Sequence, residues 1–174
     1  MKVARERDRR AWMSDIVDRY EGPLVRYAAR ITGDLHLAGD VVQETFLRLC
    51  RKEERDEEDH IAEWLFTVCR NRAIDALRRG KYRRSLNGAE PPETAVSSPD
   101  TIGKREEEDR MVKELEQLPK PQQEVLRLKF QEGLSYREIG RITGNSVTNV
   151  GFLIHTGLKR LRERLAGADL TPST

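Results

Sequence analysis

Apolar residues recur at intervals of three and four along the first half of the chain, the spacing that places side chains on one face of an α-helix. Three such runs cover residues 12–31, 37–51 and 61–79. Gly22 and Pro23 lie inside the first run and favour a break there, because proline removes a backbone donor and clashes with the preceding turn. The pattern predicts three amphipathic helices that pack as one bundle. The inward positions of the second and third helices are Val42, Phe46, Leu49, Ile61, Leu65, Val68, Ala73 and Ala76.

The periodic pattern stops in residues 85–103, which are rich in proline, serine, glycine and small polar residues. This composition is typical of a flexible linker. The sequence therefore predicts an all-α fold with two small helical domains, one at residues 1–84 and the other at residues 104–174.

The second predicted domain contains the signals of a helix-turn-helix. A charged helix is followed by a helix with Pro119 and Pro121 at its start, where proline is favoured, and with Gly133 after its end. Ser135 and Glu138 then have the spacing of a capping box at the start of a short helix. The turn "GNS" separates this short helix from a long one at about residues 146–165. A short helix, a glycine turn and a longer helix are the order of a helix-turn-helix.

The long last helix has an apolar stripe, although a DNA-recognition helix usually presents polar and basic side chains to the bases. The stripe is predicted to pack on Leu126, Ile139 and Ile142. Its members are Val147, Val150, Ile154, Leu158, Leu161 and Leu165. The outward face near the helix start is then formed by Thr148, Asn149, Phe152, Leu153 and Thr156, with His155 to the side.

The overall charge gives little general attraction to nucleic acid, because 32 Lys and Arg residues face 30 Asp and Glu residues, a net charge of +2. Any affinity for DNA must come from local clusters of basic residues. Cys50 and Cys69 both lie in helical patterns and are predicted to be small buried hydrophobes, as in a protein of the reducing cytosol. No stretch has the length of a membrane span, and the first residues lack the apolar core of a signal peptide. We therefore expect a cytoplasmic protein with no membrane insertion.

Catalytic chemistry has no clear candidate in the sequence. His36, His60 and His155 are scattered, so no metal site is expected. A phosphate-binding loop and a nucleophile with its base are also lacking. We expect neither a cofactor nor an enzymatic activity.

Three stretches in this order resemble an extracytoplasmic-function (ECF) sigma factor, the small two-domain class of bacterial transcription initiation factor. They are "GDVVQETFLRL", "AEWLFTVCRNRAIDALRR" and "LPKPQQEVLRLKFQEGLSYREIGRITGNSVTNV". The resemblance implies a protein that binds RNA polymerase core, directs it to promoters and assists promoter melting. The implied partners are the polymerase core, promoter DNA and an anti-sigma factor or other protein regulator.

The first stretch resembles the polymerase-docking segment of the family. Asp40, Gln43, Glu44 and Leu47 have the spacing of one helix face. The resemblance implies that this face contacts the clamp helices of the polymerase core, whereas the residues alone are also consistent with a solvated helix face. The family often has an acidic residue at the position of Gly39.

The second stretch resembles the helix that recognises and melts the minus-ten promoter element. Its basic residues would attract phosphates, and those near the helix end also suit the helix dipole. By resemblance, the minus-ten contacts are Asn71, Arg72, Asp75, Arg78 and Arg79, with a base-recognising role for Asn71 and an Arg-orienting alternative for Asp75. Trp64 and Phe66 are open to two interpretations, core packing or stacking on an unpaired base.

The acidic segment at residues 53–59 coincides with the loop that captures an unpaired base in the family. Its carboxylates would repel phosphate, so it is either a solvated loop or a restriction on which sequences are melted.

The third stretch resembles the domain that binds the minus-thirty-five element. The predicted contacts are Arg137, Arg141, Ser146, Thr148, Asn149, Phe152, Thr156 and Lys159. The chain departs from the family here, because the family usually has several basic residues along this helix. Asn149 could recognise adenine and Phe152 could touch a thymine methyl group, whereas an exposed pair of Phe152 and Leu153 could instead dock a protein. The alternatives for the whole chain are a stand-alone helix-turn-helix regulator and an adaptor that binds protein through its apolar last helix.

Overall fold

The computed structural model describes residues 2–52, 60–87 and 106–168, and the side chains within them except those of residues 2–8, 81–87, 106–109 and 167–168. These ranges are helical and contain no strand, which confirms the all-α prediction. The helices are α1 (Lys2–Thr32), α2 (Leu35–Arg51), α3 (Ile61–Asn87), α4 (Glu106–Glu116), α5 (Lys120–Phe130), α6 (Tyr136–Thr143) and α7 (Val147–Ala168). The chain divides into two compact units, Met1–Ser97 and Ser98–Thr174. Within the described ranges, every helix is too short or too polar to cross a membrane.

The first unit is the predicted bundle of three helices, but α1 does not break at Pro23. Tyr20, Leu24 and Tyr27 are buried on either side of this proline. An interior proline costs about 3 kcal/mol or more, and burying each large apolar side chain contributes about 1.5–3 kcal/mol. Packing on both sides of Pro23 is therefore sufficient to keep α1 continuous.

The connection from α1 to α2 is fixed by local hydrogen bonds. Gly33 adopts a φ of 73°, a left-handed conformation that glycine tolerates well. The carboxylate of Asp34 then caps α2, because its Oδ1 accepts hydrogen bonds from the backbone N–H groups of His36 (2.8 Å) and Leu37 (3.1 Å). The other end of α2 is held by Arg9 of α1, whose guanidinium donates to the carbonyl oxygens of Cys50 and Lys52.

The two cysteines have different environments, so the prediction that both are buried is wrong for Cys50. Cys69 is fully buried, and burial raises the pKa of its thiol to about 12. Cys50 is exposed near the end of α2. It follows Leu49, which is buried, and one residue turns a helix by about 100°. Cys50 therefore lies outside the apolar stripe of α2, whose last residue is Leu49.

Helix α3 continues to Asn87, beyond its predicted end at about residue 79 and into the start of the predicted linker. The rest of that predicted linker, residues 88–103, lies outside the described residues. The acidic segment 53–59 also lies outside them.

The second unit contains the predicted helix-turn-helix. Ser135 accepts a hydrogen bond from the Glu138 N–H (3.3 Å), and the Glu138 carboxylate accepts one from the Ser135 N–H (2.7 Å), which confirms the capping box. Gly144 ends α6 with a φ of 74°. A Cβ on Gly140 would lie 2.7 Å from the carbonyl oxygen of Asn145, so the turn between α6 and α7 requires glycine at residue 140.

Helix α7 packs on α5 and α6 through the middle of its predicted stripe. Val150 and Ile154 are buried together with Leu126, Ile139 and Ile142. Leu158, Leu161 and Leu165 are half-buried.

Val147 is 50% exposed, so its predicted core position is wrong. As the first residue of α7, it lies before the helix makes its close contact with α5.

Glycine at residue 157 brings α7 close to α5. A Cβ there would lie 3.0 Å from Leu126 Cδ1 and 3.4 Å from Gln122 Cβ.

Candidate functional site

The outer face of α2 presents the four residues predicted to dock on a protein. Asp40, Gln43, Glu44 and Leu47 are all exposed and border one surface depression with Arg48 and Arg51. The opposite face is buried through Ala38, Val41, Val42, Thr45 and Leu49. Leu47 is 55% exposed among these polar neighbours. An exposed leucine surrounded by carboxylate, amide and guanidinium groups has the composition of a protein-binding surface.

Gly39 lies beside this docking face and has room for a side chain. A Cβ at this position would have no atom within 4 Å. The acidic residue that the family often has here would therefore fit without rearrangement of α2.

Helix α3 places Asn71, Asp75, Arg78 and Arg79 on its exposed surface. Asn71, Asp75 and Arg78 are separated by four and three residues, so they lie along one face of the helix. An amide can hydrogen-bond a base edge and a guanidinium can bind a phosphate, so this face carries groups suited to both contacts. The predicted minus-ten residues thus form one surface, apart from Arg72.

Arg72 is half-buried at the seam between α2 and α3. Its Nη1 lies 3.4 Å from Oε1 of Glu44, and the Arg72 side chain is only 21% exposed. The same Glu44 oxygen lies 3.6 Å from Nε of Arg48. The predicted polymerase-docking face and the predicted minus-ten face therefore adjoin through Glu44 and Arg72.

The two candidate stacking residues of α3 differ in accessibility. Phe66 is fully buried, and its ring meets the Tyr27 ring edge to face at 5.2 Å, so stacking of Phe66 on a base is excluded. Trp64 is half-buried, and the ammonium group of Lys52 lies 5.2 Å from the centre of its ring. Their accessibility differs because the Phe66 ring turns toward α1, whereas the Trp64 ring lies near the end of α2.

The start of α7 is held by hydrogen bonds from the turn before it. Ser146 Oγ accepts from the Asn149 N–H (3.1 Å), so this predicted DNA contact caps the helix. The Asn149 amide donates to Asn145 Oδ1 (2.7 Å), and the Asn145 amide donates to Thr143 Oγ1 (2.9 Å). The exposed side chain of Asn149 is thereby fixed relative to α6.

Thr148 and Phe152 are exposed on the outer surface of α7, and Phe152 is 62% exposed. Leu153 and Thr156, which were predicted on the same outward face, are half-buried. Thr156 Oγ1 donates to the Phe152 carbonyl oxygen (2.8 Å) and accepts from Gln122 Nε2 (3.2 Å). Thr156 is turned inward because Gly157 draws this part of α7 against α5.

The predicted basic contacts of this unit are all exposed. Arg137 and Arg141 lie on α6, and Lys159 lies on α7, 3.9 Å from Glu163. Arg160 donates to Gln122 Oε1 (3.1 Å). These groups form a basic margin around the uncharged start of α7.

The sequence pattern did not point to two residues near this surface, Tyr136 and Lys129. The ring of Tyr136 lies 3.6 Å from the Cβ position of Gly151, and the Lys129 ammonium lies 5.6 Å from the centre of that ring. The available signal was the position of Tyr136, the first residue after the capping Ser135, combined with the missing side chain at Gly151.

Arg127 was also missed, because its sequence neighbours give no sign that a guanidinium is buried. It is 6% exposed, and burial lowers the pKa of this guanidinium while Glu116 raises it. Its Nε has no hydrogen-bond partner among the described residues. Arg127 therefore belongs to the core of the second unit and not to its exposed surface.

Two family models match the chain, one in each unit. Sigma-70 region 2 matches residues 16–83, which include the outer face of α2 and the exposed face of α3. Sigma-70 region 4 matches residues 108–161, which include α5, α6 and the start of α7. The bundle and the helix-turn-helix unit are thus the two regions of a sigma factor.

Relatives align over nearly the whole chain. ECF RNA polymerase sigma factor SigL of Mycobacterium tuberculosis is 31% identical over 164 residues, covering 92% of this chain and 93% of SigL. RNA polymerase sigma factor CarQ of Myxococcus xanthus is 30% identical over 161 residues, covering 88% of this chain and 92% of CarQ. The chain belongs to the ECF RNA polymerase sigma factors, and its function is that of a sigma factor in transcription initiation.

Solved structures share the fold. The sigma factor RpoE from Bartonella quintana, in complex with the anti-sigma factor NepR, gives a TM-score of 0.67 at 24% identity, covering 88% of this chain and 96% of RpoE. CnrH, in complex with the cytosolic domain of CnrY, gives a TM-score of 0.58 at 22% identity, covering 89% of this chain and 88% of CnrH.

Proposed function

We propose that the chain docks on RNA polymerase core through Asp40, Gln43, Glu44 and Leu47 on the outer face of α2. The observation that carries this proposal is the joint exposure of these residues around a single depression. Glu44 at one edge of this face meets Arg72 of α3, so a polymerase seated on α2 would lie beside the surface that we assign to promoter DNA.

The exposed face of α3 is proposed to hold the minus-ten element. Asn71 would recognise a base edge, and Arg78 and Arg79 would bind phosphates. Asp75 lies between Asn71 and Arg78 on the same face, where it would orient a guanidinium. Arg72, which is paired with Glu44, would support the edge of this site.

The helix-turn-helix unit is proposed to bind the minus-thirty-five element. Thr148, Asn149 and Phe152 would enter the major groove, because residues at the start of a recognition helix contact base edges. Arg137, Arg141 and Lys159 would bind the flanking phosphates. Ser146 and Thr156 would support this surface, because their hydroxyl groups already cap α7 and bond to Gln122.

The domain assignment follows from the same roles. Residues 1–84 would provide polymerase docking and minus-ten binding, and residues 104–174 would provide minus-thirty-five binding. Residues 85–103 would connect them, and two modules on one chain bind DNA more tightly than either alone through effective concentration.

An anti-sigma factor is the regulator that we propose for this chain. The solved RpoE structure is of a sigma factor bound to the anti-sigma factor NepR, and CnrH was solved in complex with the cytosolic domain of CnrY. The proposed site of action is the cytoplasm, and the proposed role requires no catalytic group and no cofactor from this chain.

Run-off transcription with purified core polymerase and a promoter library tests the proposal. Promoter-specific transcripts are expected only when the full chain is present. If the chain binds palindromic DNA without polymerase and adds no transcripts, a stand-alone regulator replaces the sigma-factor assignment. If it binds neither polymerase nor DNA, the adaptor hypothesis replaces it.

Charge reversal on α2 tests the docking face in the same assay. Asp40→Arg and Glu44→Arg should each weaken core binding about tenfold or more, because reversing a charge within an interface disturbs its electrostatic complementarity. Asp40→Arg leaves the Glu44–Arg72 pair intact, so it separates docking from that contact. Glu21→Arg, a reversal on the exposed surface of α1, is the matched control. Unchanged core affinity in both α2 variants would contradict the docking face.

A further inference from the structure

The first turns of α7 form an uncharged recognition surface. The sequence contains no Lys, Arg, Asp or Glu between Arg141 and Lys159. Guanine is normally recognised by a bidentate Arg or Lys, and neither occurs in this part of the helix. The side chains at its centre are Thr148 and Phe152, which are four residues apart and therefore adjacent on one face.

The surface around Phe152 is apolar as well as uncharged. Phe152 is 62% exposed and Val147 is 50% exposed. The ring of Tyr136, itself 38% exposed, lies 3.6 Å from the Cβ position of Gly151, where it fills the space left by the missing side chain. The start of α7 therefore offers carbon atoms where a recognition helix often offers guanidinium groups.

Exposed basic residues flank this apolar centre along the chain. Arg137 and Arg141 are exposed on α6, and Lys159 is exposed two turns beyond Phe152. A B-DNA major groove has the complementary arrangement, because phosphates line its edges while the thymine 5-methyl group is the apolar feature of its floor. The charge pattern thus favours DNA over an apolar protein groove as the occupant of this surface.

Asn149 adds a polar group of restricted freedom. One of its amide N–H groups is committed to Asn145 Oδ1 at 2.7 Å. Its carbonyl oxygen and its second N–H have no hydrogen-bond partner among the described side chains. An adenine edge offers a matching acceptor and donor, so Asn149 and Phe152 together suit an adenine–thymine pair.

We propose that this sigma factor identifies its minus-thirty-five element by thymine methyl groups, with Phe152 as the specificity-determining contact and the Thr148 methyl group beside it. The inference rests on the proposed binding of that element by α7. Apolar contact with the thymine methyl is an established use of Phe and Thr side chains in the major groove. A guanine at the contacted positions would gain no bidentate contact from an Arg or Lys of this part of the helix.

Removal of single methyl groups from the DNA tests the proposal. Holoenzyme made from core polymerase and the full chain is given a promoter selected by run-off transcription, in which each minus-thirty-five thymine is replaced in turn by deoxyuridine. Deoxyuridine pairs like thymine but lacks the methyl group. At one or more positions, promoter affinity should fall about three- to fivefold, the equivalent of losing one buried methyl group.

Two variants of the chain complete the test. Phe152→Ala should bind the thymine promoter more weakly and should no longer distinguish thymine from uracil. His155→Ala, also on the exposed surface of α7, should keep the distinction. Phe152 is exposed, so its truncation should leave the melting temperature of the protein unchanged.

Equal affinity of the wild-type holoenzyme for thymine and uracil promoters would overturn the proposal. A distinction that persists in Phe152→Ala would also overturn it. In both cases the proposed function would stand, because transcription from the selected promoter would be intact. Failure to obtain any promoter dependent on the chain would instead reject the proposed function.

Discussion

Asn71 and Arg72 are consecutive residues of α3, but their surroundings differ. Asn71 is exposed, whereas Arg72 is turned toward α2 and lies 3.4 Å from Glu44. A guanidinium held by a carboxylate has part of its charge neutralised and part of its surface covered. An exposed amide keeps both its donor and its acceptor available to a base. We therefore propose that Asn71 recognises a base and that Arg72 supports the site.

Replacement of Asn71 by alanine should weaken promoter opening without weakening polymerase binding. Loss of a base-edge contact costs about 1–3 kcal/mol, or roughly 5- to 150-fold in open-complex formation. Permanganate footprinting of holoenzyme on a selected promoter measures opening, and fluorescence anisotropy measures core affinity. Asp18→Ala, on the exposed surface of α1, serves as the control. Equal losses of opening and core affinity would remove Asn71 from the recognition role.

The environment of single residues at the margin of an apolar stripe was the hardest feature to predict. Cys50 directly follows the buried Leu49 but is exposed, and Leu153 directly precedes the buried Ile154 but is half-buried. Periodicity gives the centre of a helix face, but its width depends on how closely the neighbouring helix approaches. That distance is set by tertiary packing, which the spacing of apolar residues does not contain.

At the scale of the element, α7 combines the exposed surface that we propose binds DNA with a close contact to α5. Gly157 makes the contact possible, because any side chain there would press on Leu126 and Gln122. The same approach turns Thr156 inward to the Gln122 amide. One glycine thus helps to determine which side chains in this part of α7 remain exposed.

Substitution at Gly157 should destabilise the second unit. Gly157→Val places a branched side chain 3.0 Å from Leu126, and such overpacking typically costs about 1–3 kcal/mol. Gly151→Ala is the matched control, because its Cβ would lie 3.6 Å from Tyr136, an ordinary contact. The control should be neutral or should gain up to about 1 kcal/mol of helix propensity. Urea denaturation of both variants measures the difference, and equal stability would contradict the close packing of α7 on α5.

The helices themselves were predictable where their signals are local. The capping box at Ser135 and Glu138 and the glycine at residue 144 fix the ends of α6 through atoms within a few residues. Continuity of α1 through Pro23 was not predictable, because it depends on burial of Leu24 and Tyr27 against other helices. The exposed carboxylate and amide face of α2 was visible in the spacing, but its contact with Arg72 required the packed bundle.

At the scale of the whole molecule, net charge is nearly balanced and the basic groups are local. The chain has a net charge of +2, yet α3 exposes Arg78 and Arg79 close together and α6 exposes Arg137 and Arg141. Binding of phosphates by such clusters releases counterions from DNA, so the affinity falls as salt rises. Each proposed phosphate contact should therefore make a measurable contribution to the salt dependence of DNA binding.

The double variant Arg78→Ala and Arg79→Ala should reduce the salt dependence of promoter binding by holoenzyme. Each lost phosphate contact lowers the slope of log K against log salt by about 0.7–0.9, so two lost contacts lower it by about 1.4–1.8. Filter binding over a range of KCl concentrations provides the slope. Arg19→Ala with Arg26→Ala, an equal charge change on α1, should leave it unchanged. An unaltered slope in the α3 variant would mean that these arginines do not contact phosphate.

The ion pair between Glu44 and Arg72 restricts how this protein can be recombined with its relatives. A chimaera that receives a foreign α3 without the matching α2 would place a new side chain opposite Glu44. Its carboxylate would then lose the contact with Arg72 and keep the one with Arg48, or would face a group of the same sign. Exchange of promoter preference between sigma factors of this kind therefore calls for transplanting the two helices as a single cassette.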